Sequence, residues 1–327
     1  MLSQPLLNPI GTYQGSALGP LLYTIYAADM PLYLDADVAH DRCLVQYADD
    51  VQIAVFGRPS DSGALVRSLE LNLAALALWF RKNGLKVNAN KTQLIALGTS
   101  QNLRSMPQIQ VEFMGATVTE SRTVKNLGVV FDQTMTFSAH VNDVVRRCTG
   151  LLSGLSHSRH ALPQDTLNTI VQALVLSSIR YCISVYGVCG ITQTARLQKL
   201  LNFGGRVISG RRKYDHISDV LRDLKWLSAE NLYRYHSVAL LKQILSFGQP
   251  EHLCSRLVTR GDVHQRATRQ ADRLDRPAIR TDSGRRRFLF GAVTEYNALP
   301  QSLREMGPCR FKSNLRKHLL ASQNGNG

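Results

Sequence analysis

The chain has 327 residues, 44% hydrophobic and 19% charged, a balance that excludes a disordered polymer and by length allows about two domains. Its net charge is +15 and lies in one half: residues 1–150 hold 12 Lys/Arg against 12 Asp/Glu, and residues 151–327 hold 27 against 12. That asymmetry points to a polyanion, nucleic acid first among them, with a merely solvated basic surface as the alternative.

Residues 14–30, "QGSALGPLLYTIYAADM", open as a Gly/Ser loop. They continue with helical spacing through Leu18, Leu21, Leu22, Ile25 and Tyr26. Asp29-Met30-Pro31 ends the run, because the residue before a proline avoids the helical region. Residues 43–47 and 51–56 are predicted as the arms of a hairpin with Ala48-Asp49-Asp50 at its turn. Residues 60–84 predict an amphipathic helix with Leu65, Leu69, Leu73, Leu76 and Phe80 on one face, Ser60 or Asp61 as N-cap and Gly84 as C-cap. Three β-like runs follow, Leu94–Leu97, Ile109–Phe113 and Val124–Phe131. From Ser138 the pattern turns helical, over 138–157, 163–182, 194–209 and 227–246. Residues 260–287 are Arg-rich and read as a flexible basic linker, and "CRFKSNLRKHLL" as a last helix before a Gly/Asn tail.

Six scattered cysteines, with no CxxC pair or Cys–His spacing, argue against a zinc knuckle and for reduced thiols in an intracellular protein. No uninterrupted apolar run reaches membrane-spanning length and no signal peptide is visible, so no membrane partner is expected.

The chemistry concentrates in "LVQYADDVQIAVFG", residues 44–57. Two adjacent carboxylates interrupt strand-forming residues, although like charges repel and are costly to bury unpaired. A hairpin tip exposes them while its arms stay in the core. Hard dications such as Mg²⁺ are held by one or two carboxylates together with waters and substrate phosphates, and they reverse the repulsion. Two-metal phosphoryl transfer is the reaction that best uses such a site. An Asp-Asp turn without metal is the alternative for that tetrapeptide by itself.

"GTYQGSALGPLLYTIYAADMP" (11–31) followed by "YADD" resembles motifs B and C of reverse transcriptases from non-LTR retrotransposons, the LINE-type elements of the Jockey-like group. "WFRKNGLKVNANKTQLIALG" (79–98) resembles their motif D, and "VKNLGVVFDQTMTFSAHV" (124–141) their motif E and its continuation. "LVLSSIRYCISVYG", "RLQKLLNFGGRVISG", "LKWLSAENLYRY", "EYNALPQSLR" and "FKSNLRKHLL" are similar, in the same order, to the C-terminal part of such proteins.

The resemblance implies an α+β fold: a partial palm of antiparallel sheet and helices over 1–135, a helical thumb or connection over 136–259, the linker at 260–287 and a C-terminal piece over 288–327. It implies an RNA-directed DNA polymerase working on RNA template, DNA primer and deoxynucleoside triphosphates with Mg²⁺, or Mn²⁺ in its place. Asp49 and Asp50 would be its metal ligands, with Tyr47 near the primer end. Gln14, Gly15 and Ser16 would lie against template and incoming nucleotide, where small residues let the backbone approach. Lys91 would protonate the leaving pyrophosphate, a surface lysine being the alternative. Leu127, Gly128 and Val129 would form the primer grip. Tyr13 departs from the family's usual proline. A nuclear location follows only from the family's priming at chromosomal DNA, since "GRRR" (284–287) is too short to argue it.

The family's third ligand is an aspartate of motif A, upstream of motif B, and residues 1–28 contain no Asp or Glu. Asp29, Asp35, Asp37 and Asp41 are not placed to replace it. The expectation is that this chain alone does not polymerise and that residues 1–130, with a sheet edge open, are marginally stable. The alternative function is a non-catalytic remnant that binds nucleic acid.

Overall fold

In the computed structural model the described residues are 15–34, 41–264, 270–279 and 281–325. The chain forms two compact units, Met1–Val124 and Lys125–Gly327. The division falls earlier than the 135 expected, because the strand Val129–Asp132 packs on the first long helix of the second unit.

The first unit runs α1 (Gly19–Tyr26), β1 (Arg42–Tyr47), β2 (Asp50–Val55), α2 (Ser62–Lys82), α3 (Ser100–Ser105), β3 (Gln110–Phe113) and β4 (Ala116–Thr119). Two antiparallel hairpins, β1–β2 and β3–β4, lie against α2. The α2 stripe buries Leu69, Leu73 and Leu76 as its spacing predicts, and adds Ala77 and the fully buried Trp79. Buried Asn72 is satisfied, donating to the Ser68 carbonyl (2.7 Å) and accepting from Arg42 (3.1 Å).

The sequence reading misses three features here. The apolar residues picked on α1, Leu18, Leu21, Leu22, Ile25 and Tyr26, are exposed. The helix docks instead through Tyr23, Ala27 and Met30, onto the cluster around Trp79. Leu94–Leu97 is a loop held by a parallel bridge from Leu94 to Glu120, and the paired strand is β4, reached through a Met114-Gly115 turn with φ of 50° and 81°. Finally, Pro59–Lys82 is long and apolar enough to cross a membrane by length and composition. The expectation that no segment qualifies is corrected, because it counted only uninterrupted apolar runs. One side of α2 packs on β2 and β3.

The second unit begins with a hairpin of β5 (Thr123–Asn126), whose first residues end the preceding unit, and β6 (Val129–Asp132). Helices follow: α4 (Ser138–Ser158), α5 (Gln164–Val171), a π turn, α6 (Ser177–Arg180), α7 (Ile183–Tyr186), α8 (Ile191–Ser209), α9 (Ser218–Asp223) and α10 (Ala229–Phe247). The chain continues through α11 (Glu251–Cys254), α12 (Arg260–His264), α13 (Asp282–Arg285), α14 (Phe288–Ala298), α15 (Gln301–Arg304) and α16 (Pro308–Gly325). One core joins them: Val141, Val144, Cys148 and Leu152 of α4 face Leu197, Leu200 and Leu201 of α8, while Phe311, Leu315 and Leu319 of α16 pack on α10. Gly204 lets α8 approach α5, since an added Cβ would sit 3.2 Å from Val171.

The linker expected at 260–287 is anchored around Leu274. Thr259 and Leu274 form an antiparallel bridge, and Arg260 N–H donates to the Arg273 carbonyl (2.8 Å). Leu274 is buried, and the Asn297 amide bonds both its N–H and its carbonyl. Arg304, itself buried, pairs with Asp272 at 2.8 Å. A polar sequence is docked here because its backbone groups find partners. All six cysteines are free thiols.

Candidate active site at the Asp49–Asp50 turn

Hairpin β1–β2 pairs Tyr47 with Asp50, Val45 with Gln52 and Leu44 with Ile53. Side chains alternate across a strand, so Leu44, Val51, Ile53 and Val55 pack inward while Cys43, Val45, Tyr47, Asp50 and Ala54 are exposed. The loop itself is only Ala48-Asp49, with Ala48 at φ 50°. Asp50 belongs to the strand, which refines the expected three-residue turn. Asp49 and Asp50 are therefore both solvent-facing, at the end of a hairpin whose other side is half-buried against the core clusters.

Sequence reading missed one neighbour. Tyr23 of α1 hydrogen-bonds the Gln46 side chain and stands within electrostatic reach of Asp49. Burial, then the Asp49 charge, pushes its phenol above the ordinary value. The signal was the spacing of Tyr23, Ala27 and Met30, a face less apolar than the one opposite.

The other expected site residues are placed as follows. Ser16 closes the turn into α1, its hydroxyl accepting the Leu18 N–H at 3.3 Å. Gly15 has φ 85° and open space where a Cβ would lie. Gln14 and Tyr13 lie outside the described residues, as do Asp35 and Asp37. Lys91 is exposed on a 3₁₀ turn that packs against β4, and no described contact brings its ammonium to the Asp49 turn. Asp29 is committed elsewhere: its carboxylate accepts the Trp79 indole N–H at 2.8 Å.

In the second unit Leu127 and Gly128 form a two-residue turn with φ of 42° and 81°. Both central residues are left-handed, as tight hairpin turns of the primed type require. Val129 is buried beneath them. The Tyr181 hydroxyl donates to the Leu127 carbonyl (2.8 Å), and its ring lies 3.1 Å from where a Gly128 Cβ would stand. The stretch behind the turn is structural. Burial raises the Asp132 carboxyl, but bonds from the Thr136 N–H, the Thr134 hydroxyl and the Phe137 N–H outweigh it and hold the group below its usual range. His140, buried, accepts the Val130 N–H at 3.3 Å.

Two carboxylates with open water around them fit a hard dication bound through one or two protein oxygens, with waters and phosphates completing its shell. Among the described residues no third His, Cys, Asp or Glu joins them.

Residues 7–131 match the reverse transcriptase (RNA-dependent DNA polymerase) family. The chain is 27% identical over 242 residues, 72% of its length, to the probable RNA-directed DNA polymerase from transposon BS of Drosophila melanogaster, covering 26% of that protein. It is 27% identical over 230 residues to that from the X-element of the same species, 69% of this chain and 25% of the relative. To the RNA-directed DNA polymerase from mobile element jockey of Drosophila funebris it is 30% identical over 220 residues, 66% of this chain and 23% of the relative. The chain thus spans about a quarter of the length of the curated relatives it matches. No solved structure matches it. Residues 7–131 are thus a reverse transcriptase segment, and over about two thirds of its length the chain is similar to RNA-directed DNA polymerases of Drosophila mobile elements.

Proposed function

We propose that this chain contributes palm and thumb segments to an RNA-directed DNA polymerase, which extends a DNA primer on RNA template by two-metal nucleotidyl transfer. The observation that carries the reading is the exposed Asp49–Asp50 pair on a hairpin whose other face packs half-buried against the core, within the stretch that matches the family. Asp49 and Asp50 would hold the dication, Mg²⁺ or Mn²⁺ in its place. When bound it lowers the barrier by activating the attacking hydroxyl and neutralising the leaving pyrophosphate. Tyr23 stands within electrostatic reach of Asp49, and Tyr47 shares the exposed face with Asp50. Gln14, Gly15 and Ser16 stay assigned to template and nucleotide, and Leu127, Gly128 and Val129 to the primer. Lys91 stays assigned to the pyrophosphate, which requires the 3₁₀ turn to reach the substrate. Action in the nucleus goes with this reading, as the place of chromosomal priming.

Metal binding tests the site without requiring turnover. Mn²⁺ added to this polypeptide should broaden resonances of Tyr47, Asp50 and Tyr23, and Asp49→Asn with Asp50→Asn should abolish the effect. Equal broadening in the double variant would overturn the assignment. Two metals about 4 Å apart generally take a further carboxylate, and residues 1–28 supply none. Primer extension by this polypeptide alone is accordingly expected to be absent. Extension that disappears in Asp49→Asn would refute that expectation and still support the site.

A further inference from the structure

The stretch 174–187, "LVLSSIRYCISVYG", takes no part in the function proposed above. Its backbone is irregular: a π turn at Gln172–Leu176 leads into α6, and the chain breaks before α7. At the break Tyr181 has φ −59° and ψ 116°, and Cys182 has φ 53° and ψ 25°. These lie near the angles of a type II turn, whose third position ordinarily takes glycine or asparagine. The break is locked from the core side, where Ile179 and Ile183 are buried and the buried Tyr186 donates its hydroxyl proton to the Ile179 carbonyl. Between those anchors Tyr181 stands out, 53% exposed.

Tyr181 meets the other turn of the unit that L-residues hold with difficulty. Its hydroxyl donates to the Leu127 carbonyl (2.8 Å), and its ring fills the place beside Gly128, 3.1 Å from where a Cβ would stand. Two left-handed L-residues, Leu127 at φ 42° and Cys182 at φ 53°, thus flank one contact. Each is strained, and strain of this kind persists where function needs it. Stability does not account for the contact, because water can replace either partner of an exposed hydrogen bond at little loss. Orientation does account for it. With the hydroxyl on the Leu127 carbonyl and the ring against Gly128, the turn cannot tilt without losing both, and exposed Leu127 is held over buried Val129. We propose that Tyr181 is a positioning residue for the Leu127-Gly128 turn, fixing the exposed leucine for the primer strand. The clamp follows from the geometry; the primer as its object rests on the polymerase reading above.

The test uses the full chain, the variants Tyr181→Phe and Leu127→Ala, and their combination. In Tyr181→Phe the Leu127 carbonyl resonance, read with carbonyl-labelled leucine and amide-labelled glycine, should move upfield as its bond is lost. The melting temperature should stay within about 2 °C, because the hydroxyl is open to water. Binding of a labelled RNA·DNA primer–template near 0.1 M salt should weaken about fivefold, the worth of one ordinary hydrogen bond. Leu127→Ala should weaken it at least as much. A residue that acts only through another adds nothing once that other is gone, so the double variant should bind like Leu127→Ala.

An unmoved carbonyl resonance would overturn the proposal. So would unchanged binding in Tyr181→Phe beside weakened binding in Leu127→Ala, since Tyr181 would then be a structural prop. Additive losses in the double variant would mean that Tyr181 meets the duplex by itself, and would overturn the positioning role. Leu127→Ala binding like the unaltered chain, or an unaltered chain that binds no duplex, would refute the primer assignment and the proposal with it. Mn²⁺ binding at Asp49 should be the same in every variant, so failure here leaves the metal site standing, and the reverse.

Discussion

Asp29 and Asp49 are carboxylates of the same unit with opposite fates. Asp29 accepts the indole N–H of Trp79, a ring with no exposed surface. Asp29→Ala would leave that buried donor unpaired and is expected to destabilise by about 1–3 kcal/mol, whereas Asp29→Asn, which keeps an acceptor, should lose less than about 1 kcal/mol. Urea unfolding of the two variants checks this; equal losses would show that the bond is not the cause. Asp49 and Asp50 make no such bond among the described residues and face water. Their exposed place at the hairpin turn was legible because two carboxylates break an apolar strand pattern. The place of Tyr23 beside Asp49 was not legible. It depends on which side of α1 turns inward, and there the more apolar side loses.

Among the elements, the β5–β6 hairpin shows local strain in a stretch given a functional reading. Leu127 holds a left-handed φ of 42° that costs an L-residue roughly 1–2 kcal/mol, and such strain collects where function needs it. Leu127→Asn would create Asn-Gly, the pair best suited to this turn, and should raise stability by about 0.5–1 kcal/mol. The same change should weaken primer-template binding if the leucine contacts the primer. Thermal melts and duplex titration of one variant measure both; lower stability would contradict the strain argument. Asp132, Phe137 and His140 lie in the stretch 124–141 whose resemblance to motif E and its continuation was visible in the sequence. The structure gives it a cause: Asp132 collects the N–H and O–H groups leading into α4, and His140 holds the Val130 N–H. The arms of this hairpin were read as one run, Val124–Phe131, because both are short and apolar and only Leu127-Gly128 divides them.

At the scale of the whole molecule, two units with separate cores carry different charge and different pH sensitivity. Burial holds His140 below the ordinary histidine value, with Asp143 opposing and Arg147 and Lys125 reinforcing. Burial, Arg180 and Lys312 lower His236 in the same way. The unfolded chain takes up these protons near pH 6.5, and the folded protein only at lower pH. The unfolded state thus binds more protons in between, and stability falls as the pH drops through that window. The urea midpoint should be level above about pH 7.5 and decline below about 6.5. His140→Gln and His236→Gln should each flatten the decline. A midpoint that stays level on acidification would contradict the burial of these rings. Asp132, lowered rather than raised, loses its contribution only in a more acid range, as the pH falls through its depressed value.

The sequence by itself determined the type of most elements, the amphipathic stripe of α2, the basic half and the paired carboxylates. These depend on period and composition along the chain, which are local. Tertiary structure alone decided which face of α1 is buried and that the Arg-rich stretch around Leu274 is docked. Each of those depends on groups far apart in sequence competing for the same buried surface, and no local pattern records who wins.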